Sequence, residues 1–205
     1  MWTVEATDIC QRFNRRLIFE KVSFTVSSGH SLVISGPNGS GKTTLVKIIC
    51  QLLRPTAGRL LIKGDDKIVT PHEIYPYLGL VGPYLQLYTS LTAFENYSFF
   101  SRIRGCTLDI PEFKSLMERW GLKNREFDEV RTFSSGMMQR LKYVMAIMHK
   151  PEILLVDEPT ANLDEDGSEI VYELMESQKK DKVLILATNE PEELKFGDEK
   201  IILNS

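Results

Sequence analysis

The stretch SGPNGSGKTTL, Ser35–Leu45, sets three glycines, a lysine and two threonines between one apolar run and another with helical spacing. A segment with so little side chain presents mostly backbone. Glycines let main-chain N–H groups curl toward one anion, and a following helix adds the positive end of its dipole. Gly36 to Thr43 reads GPNGSGKT, which fits G-x-x-x-x-G-K-[ST]. Before it, SLVISG reads as a buried strand; after it, KTTLVKIICQLL has helical apolar spacing through Leu45, Ile48, Ile49 and Leu52, with Pro55 and Gly58 expected to stop the helix. That strand–loop–helix context is the one a phosphate-holding loop requires. Gly36, Pro37, Asn38, Gly39, Ser40 and Gly41 form the cradle. Lys42 is expected to reach the β- and γ-phosphates as a compact charge, Thr43 to ligate Mg²⁺, and Thr44 to add a hydroxyl or amide.

A nucleoside triphosphate also needs its metal held from a second side, by an acid at the end of a neighbouring strand. In ILLVDEP, Asp157 and Glu158 follow a continuous apolar run and take that place. Asp157 is expected to hold Mg²⁺ through water. Glu158, directed differently at the strand end, is expected to orient and deprotonate an attacking water. Two adjacent acids after a strand are by themselves ordinary turn residues; the phosphate loop in the same chain gives them a task. Hydrolysis is the implied reaction.

Working outward, strand and helix signals alternate along the chain without repeats or low-complexity linkers, which argues for an α/β fold. WTVEAT and LIFEKVSFTV, in which Val22, Phe24 and Val26 alternate with polar neighbours, predict antiparallel strands with one wet face. EILLVDE, KVLILAT and KIILN are short and continuously apolar, with EIVYELMESQ between the first two; they predict a parallel sheet with a crossover helix. In the middle, Thr92 and Glu95 in TAFE suit a capping box, Pro111 suits a first helical turn and Gly121 closes the stretch, so residues 90–125 read as helical. The expected organisation is a single domain over residues 1–205: a P-loop NTPase core from residues 1–84 and 131–205, with a mostly parallel sheet and an N-terminal antiparallel part, and a helical lobe inserted at about 85–130.

Composition narrows the classes. With 205 residues, 42% of them hydrophobic, the chain buries a sizeable core. A formal net charge of −3 gives no global basic field to gather DNA or RNA, so no direct nucleic-acid partner is expected. No run approaches the roughly 18 apolar residues of a membrane span. The start MWTVEATDIC lacks the charged-then-apolar pattern of a signal peptide, so a soluble, cytoplasmic chain is expected. Cys10, Cys50 and Cys106 are odd in number and in no metal-ligand spacing, and read as reduced packing residues.

A second anion site is written in FSSGMMQRLKYVMAIMHKP. Met137, Leu141, Val144, Met145 and Met148 fall on one helical face and read as core; Lys150 and Pro151 end the helix. Ser134, Ser135 and Gly136 put a hydroxyl and free amides at the helix start, which serves either an anion or plain serine capping.

A phosphate loop, a helical stretch, FSSGM at a helix start, ILLVDEP and then TANLD, in this order, resemble the nucleotide-binding subunit of ATP-binding-cassette (ABC) transporters over essentially the whole chain. By that resemblance Phe13 in QRFNRRLIF takes the position of the adenine-stacking aromatic. FSSGM takes that of the family's signature, with Ser134 and Gly136 facing phosphate, and Asp164 that of the D-loop. The resemblance further implies a second ATPase subunit, the same chain or a related one, packed head to tail so that the phosphate loop of one and the signature helix of the other close on the same ATP. Binding of the γ-phosphate closes the pair and hydrolysis opens it. Separate transmembrane permease subunits would be moved through contacts with the helical lobe, placing the chain on the cytoplasmic face of the membrane. The short length and single cassette look most like exporter ATPases, including the heme exporter of cytochrome c maturation.

Three departures from the family pattern stand out. The signature reads SSGM where glycines and glutamine are usual. The glutamine expected after the strand near Leu80 is displaced: Pro83 takes its place in LVGPYLQLYTSLT, and Gln86 either reaches the metal from a reshaped loop or that contact is absent. The switch histidine is Asn189, in LILATNEPEE, which can hydrogen-bond a γ-phosphate oxygen but carries no proton or charge. Two rival classes follow: a nucleotide-binding regulator impaired in hydrolysis, and a non-transport cassette ATPase acting on nucleic acid or ribosomes.

Overall fold

The computed structural model describes residues 1–204 as two sheets with helices packed on them. Strands β1 (Trp2–Phe13) and β2 (Arg16–Ser27) form an antiparallel hairpin. A β3 strand (Ser31–Ser35) leads into helix α1 (Lys42–Ile49), after which β4 (Ala57–Gly64) and β5 (Lys67–Ile68) complete the first sheet in the order β2-β1-β4-β5. Val22, Phe24 and Val26 point inward, as their alternation predicts.

The second sheet holds β6 (Leu78–Val81), β7 (Ile153–Asp157), β8 (Val183–Ala187) and β9 (Glu199–Ile202) with β3, in the order β6-β7-β8-β3-β9. Every pairing in it is parallel. The continuous apolar runs are explained by burial on both faces: Leu32 and Ile34 of β3 belong to the core beneath α1 and the antiparallel sheet, while Val33 belongs to the opposite core. That second core is covered by α4 (Ser135–Ile147) and α5 (Glu165–Gln178), the crossover between β7 and β8.

Two helices, α2 (Ala93–Ile103) and α3 (Ile110–Arg119), lie against α4. Helix α2 opens on the capping box: Glu95 N–H donates to Thr92 Oγ1 at 3.1 Å, and Thr92 N–H donates to the Glu95 carboxylate at 2.8 Å. Helix α3 opens on Asp109 with Pro111 in its first turn. Stacked ring pairs Tyr97–Phe113 (centroids 4.3 Å apart) and Trp120–Tyr143 (4.7 Å) fill the space between these helices and α4.

Two expected boundaries shift. The helical reading of residues 90–125 is interrupted between α2 and α3, where Gly105 takes φ +69°. Helix α1 stops at Ile49 rather than running through Leu52, because Gln51 adopts φ +60° and closes a Schellman motif: Gln51 N–H donates to Ile48 O and Leu52 N–H to Lys47 O. Leu52 is left 54% exposed. The termination is local, six residues before Pro55.

Replacing Thr92 by alanine removes the cap that starts α2. The expected loss is about 1 kcal/mol of unfolding free energy, read as a lower urea midpoint with an unchanged m-value.

Candidate active site

The carboxyl ends of β3, β7 and β8 lie side by side, and the residues that follow them build the site. After β3 the chain turns through Gly36 at φ +146° and Gly41 at φ +102°. A Cβ on Gly36 would lie 2.3 Å from the Leu203 carbonyl oxygen, and one on Gly41 would lie 2.5 Å from Ile18 Cγ2. Only glycine fits at either place. Lys42 is buried, and its ammonium donates to the carbonyls of Gly36 (2.7 Å) and Pro37 (3.3 Å), which holds the charge beneath the loop. Ser40 is buried inside the turn, while Asn38 and Gly39 are exposed at its tip and Thr44 is half-buried in α1. The first turn of α1 has no acidic residue, so its free N–H groups face the loop uncompensated.

Strand β7 delivers the acids. Asp157 is 1% exposed, and one carboxylate oxygen accepts a hydrogen bond from Thr43 Oγ1 at 2.6 Å, while the other, Oδ1, is buried without a partner. Burial pushes the Asp157 carboxyl above its ordinary range, and the Glu158 charge adds to this; the Thr43 hydroxyl, Lys42 and Lys47 oppose it. Glu158 sits at φ +56°, with its N–H donating to Ala187 O at 2.9 Å. The left-handed turn swings its side chain out of the strand into a cleft of about 480 Å³ that Asn38, Lys42, Thr188 and Asn189 also line. Asn189 Nδ2 donates to Asn38 Oδ1 at 2.7 Å, so the turn after β8 is bonded directly to the Gly36–Thr43 loop.

Ser134 and Gly136 line a different pocket, of about 380 Å³, together with Arg140, Asn162 and Asp164; it shares no lining residue with the first. Ser134 caps α4, accepting from Met137 N–H at 3.2 Å, and the first turn of α4 also lacks an acid. Asp164 caps α5 through Gly167 N–H at 3.0 Å and pairs with Arg140, which holds its carboxyl below the usual carboxylate range.

Two of the candidate residues stand apart from these groups. Phe13 is 46% exposed at the end of β1, beside the hairpin turn. Gln86 is exposed and is not part of the lining of either pocket. The buried hydroxyl on that loop belongs instead to Tyr84: it has no hydrogen-bond partner, burial pushes it well above its ordinary range with the Asp157 charge adding to this, and Lys47 Nζ lies 4.5 Å from the ring centroid. Nothing in LVGPYLQLYTSLT marks Tyr84 out, since an aromatic beside a loop is ordinarily packing.

The family model for ABC transporters matches residues 19–161. The chain belongs to the ABC transporter family. NatA, an ABC transporter ATP-binding protein of Bacillus subtilis (strain 168), is 35% identical over 192 residues, spanning 89% of this chain and 77% of NatA. LnrL, a linearmycin resistance ATP-binding protein of the same organism, is 29% identical over 201 residues, 97% of this chain and 65% of its own length. The solved structure of an ABC transporter ATP-binding subunit matches with a TM-score of 0.86 at 26% identity, over 98% of this chain and 85% of that one. The ABC chain is thus an ATP-binding subunit with a P-loop NTPase fold, and an ATP hydrolase. The narrower likeness to the heme exporter finds no support in these relatives. Among the described residues no helix is long and apolar enough to cross a membrane.

A carboxyl group whose folded-state value is raised binds its proton more tightly in the native state, so stability falls as pH rises from the unfolded value of roughly 4 to the higher folded one. Above that window the charge of Asp157 works against the fold. Asp157→Asn is therefore expected to raise the melting temperature of the nucleotide-free protein at pH 7.5, and the gain should shrink at about pH 4, by differential scanning fluorimetry.

Proposed function

We propose that this chain is the ATPase subunit of an exporter and works as a head-to-tail pair. The observation that carries the reading is the convergence of the Gly36–Thr43 loop, Asp157 and Glu158 at adjacent strand ends, with a second, separate half-site at Ser134 and Gly136. One chain keeps its two phosphate-facing sets in different pockets, so a single ATP meets both only when another subunit brings the second. The resistance function named for LnrL, together with its match along nearly all of this chain, supports the outward direction.

Mg²⁺ fits the residues present. Thr43 Oγ1 and the unpartnered Asp157 Oδ1 are hard oxygens at one spot, and among the described residues no cluster of three His, Cys, Asp or Glu offers a complete cage. That is the incomplete donor set Mg²⁺ accepts when phosphates and water supply the rest. Thr43 and Asp157 would hold it, and when bound it supplies neutralising charge across the β- and γ-phosphates. In the bound state Lys42 turns from the loop carbonyls to the phosphates. Glu158 accepts the proton of the attacking water, and Asn189 donates an amide hydrogen to a γ-phosphate oxygen. Phe13 at the hairpin end offers a flat exposed face for the adenine. No residue of the Gln86 type is needed in this scheme.

The permease would dock in the apolar groove of about 250 Å³ where α2 meets the core, lined by Leu52, Leu80, Leu85, Phe100, Ile103 and Arg104. Ile103 is 67% exposed there, and Arg104 Nε is buried without a partner, which suits a permease segment carrying apolar residues and a carboxylate.

Glu158→Gln is expected to retain ATP and to lower kcat by about 10²–10⁴-fold, measured as steady-state phosphate release; an unchanged rate removes Glu158 from the role of base. The charge-neutral Lys42→Met should abolish ATP affinity in a fluorescent-nucleotide titration, whereas Asn189→His should leave the rate equal or higher. Ile103→Asp should leave ATP affinity of the isolated subunit intact while preventing co-purification with the permease.

A further inference from the structure

Glu193 is 1% exposed, yet among the described residues no lysine or arginine pairs with it. A buried carboxylate is tolerated only when donors satisfy it. Its two donors are threonine hydroxyls from different loops: Thr160 Oγ1 donates to Oε1 at 2.8 Å, and Thr188 Oγ1 donates to Oε2. Thr160 lies two residues beyond Glu158, and Thr188 directly precedes Asn189. The same Thr188 oxygen accepts the Glu190 N–H at 2.9 Å, so the turn after β8 is closed on the same group. Beside it, the fully buried Tyr143 hydroxyl donates to Pro159 O at 2.6 Å and fixes the residue between Glu158 and Thr160 to α4.

We infer that Glu193 is a positioning residue for ATP hydrolysis: its carboxylate latches the loop after β7 to the loop after β8 and so sets the distance between Glu158 and Asn189 across the cleft. The inference rests on the roles proposed above for those two residues. A fork of two acceptors is what the geometry calls for. Each threonine has one hydroxyl hydrogen to give, and a single carboxylate receives both without a cation that could draw it elsewhere. The loop that Thr160 anchors continues to Asn162, whose carbonyl would lie 3.3 Å from a Cβ on Gly136, and to Asp164, paired with Arg140 of α4. The latch therefore also fixes how the catalytic cleft of one subunit is spaced from its own signature pocket. Nothing in the run NEPEE separates Glu193 from Glu190 and Glu192, which are exposed; burial alone distinguishes it.

The test compares Glu193→Ala with Glu193→Gln in the full-length subunit. Glutamine keeps the length and, with its oxygen toward Thr188 and its amide toward Thr160, can bond both hydroxyls; alanine can bond neither. Glu193→Ala is expected to lower kcat about tenfold to a hundredfold, the scale of an ångström-level misplacement, with KM for ATP within about twofold because the phosphate loop is untouched. Glu193→Gln should recover most of the rate. Hydrogen–deuterium exchange should quicken in Glu193→Ala at residues 158–164 and 188–190 only, and return toward wild type in Glu193→Gln. A wild-type kcat in Glu193→Ala, or exchange that rises throughout the chain with nucleotide affinity lost in both variants, overturns the inference. If the unmodified subunit releases no phosphate, the hydrolysis reading fails, and the exchange comparison still decides whether Glu193 joins the two loops.

Discussion

The hydrogen bond from Thr43 Oγ1 to Asp157 ties the first turn of α1 to the end of β7 across β8. It joins the glycine loop and its helix to the strand that carries the acids, and both can be there only because the sheet is parallel. In a parallel sheet the carboxyl ends of β3, β7 and β8 emerge on one edge, so residues more than a hundred positions apart in the chain become neighbours. Burial on both faces keeps that edge fixed: β7 and β8 have no exposed side chain along their length. The α1 core on one face and the α4–α5 core on the other clamp the strands, and the loops above them inherit the alignment.

Electrostatics at this edge run against the fold and in favour of the ligand. A carboxyl raised above its usual range by burial and a carboxylate oxygen with no donor are poorly placed in a protein without nucleotide. They are well placed to receive a polyphosphate and its counter-ion, which offer the missing partners at once. The sheet absorbs the cost because its apolar burial is extensive. Stability elsewhere is conventional: capped helices, stacked rings beneath the α2–α3 pair, and an arginine shared between Trp120 O and Asp164.

How much of this is legible in the sequence follows from how local the physics is. The Gly36–Thr43 loop can be read because its chemistry is consecutive; strand, glycines and lysine each declare themselves. The alternating β2 residues, the doubly buried runs of β7 and β8, and the Thr92–Glu95 box are legible for the same reason. The end of α1 is less so, since Gln51 closes it in a conformation that glycine or asparagine ordinarily takes. Tyr84 and Glu193 are not legible at all. Their surroundings are assembled from distant segments, and an aromatic in a loop or a glutamate among glutamates gives no hint of being enclosed. Gln86 shows the converse: a residue type suited to a metal site, left in solvent by the path of its loop.

Glu158 occupies a left-handed backbone position with its side chain in solvent, where glycine or asparagine would be less strained. The architecture thus exerts no pull of its own to keep an acid there. The acid can be exchanged here without loss of packing, so what Glu158 contributes is a charge facing the cleft and not a part of the framework.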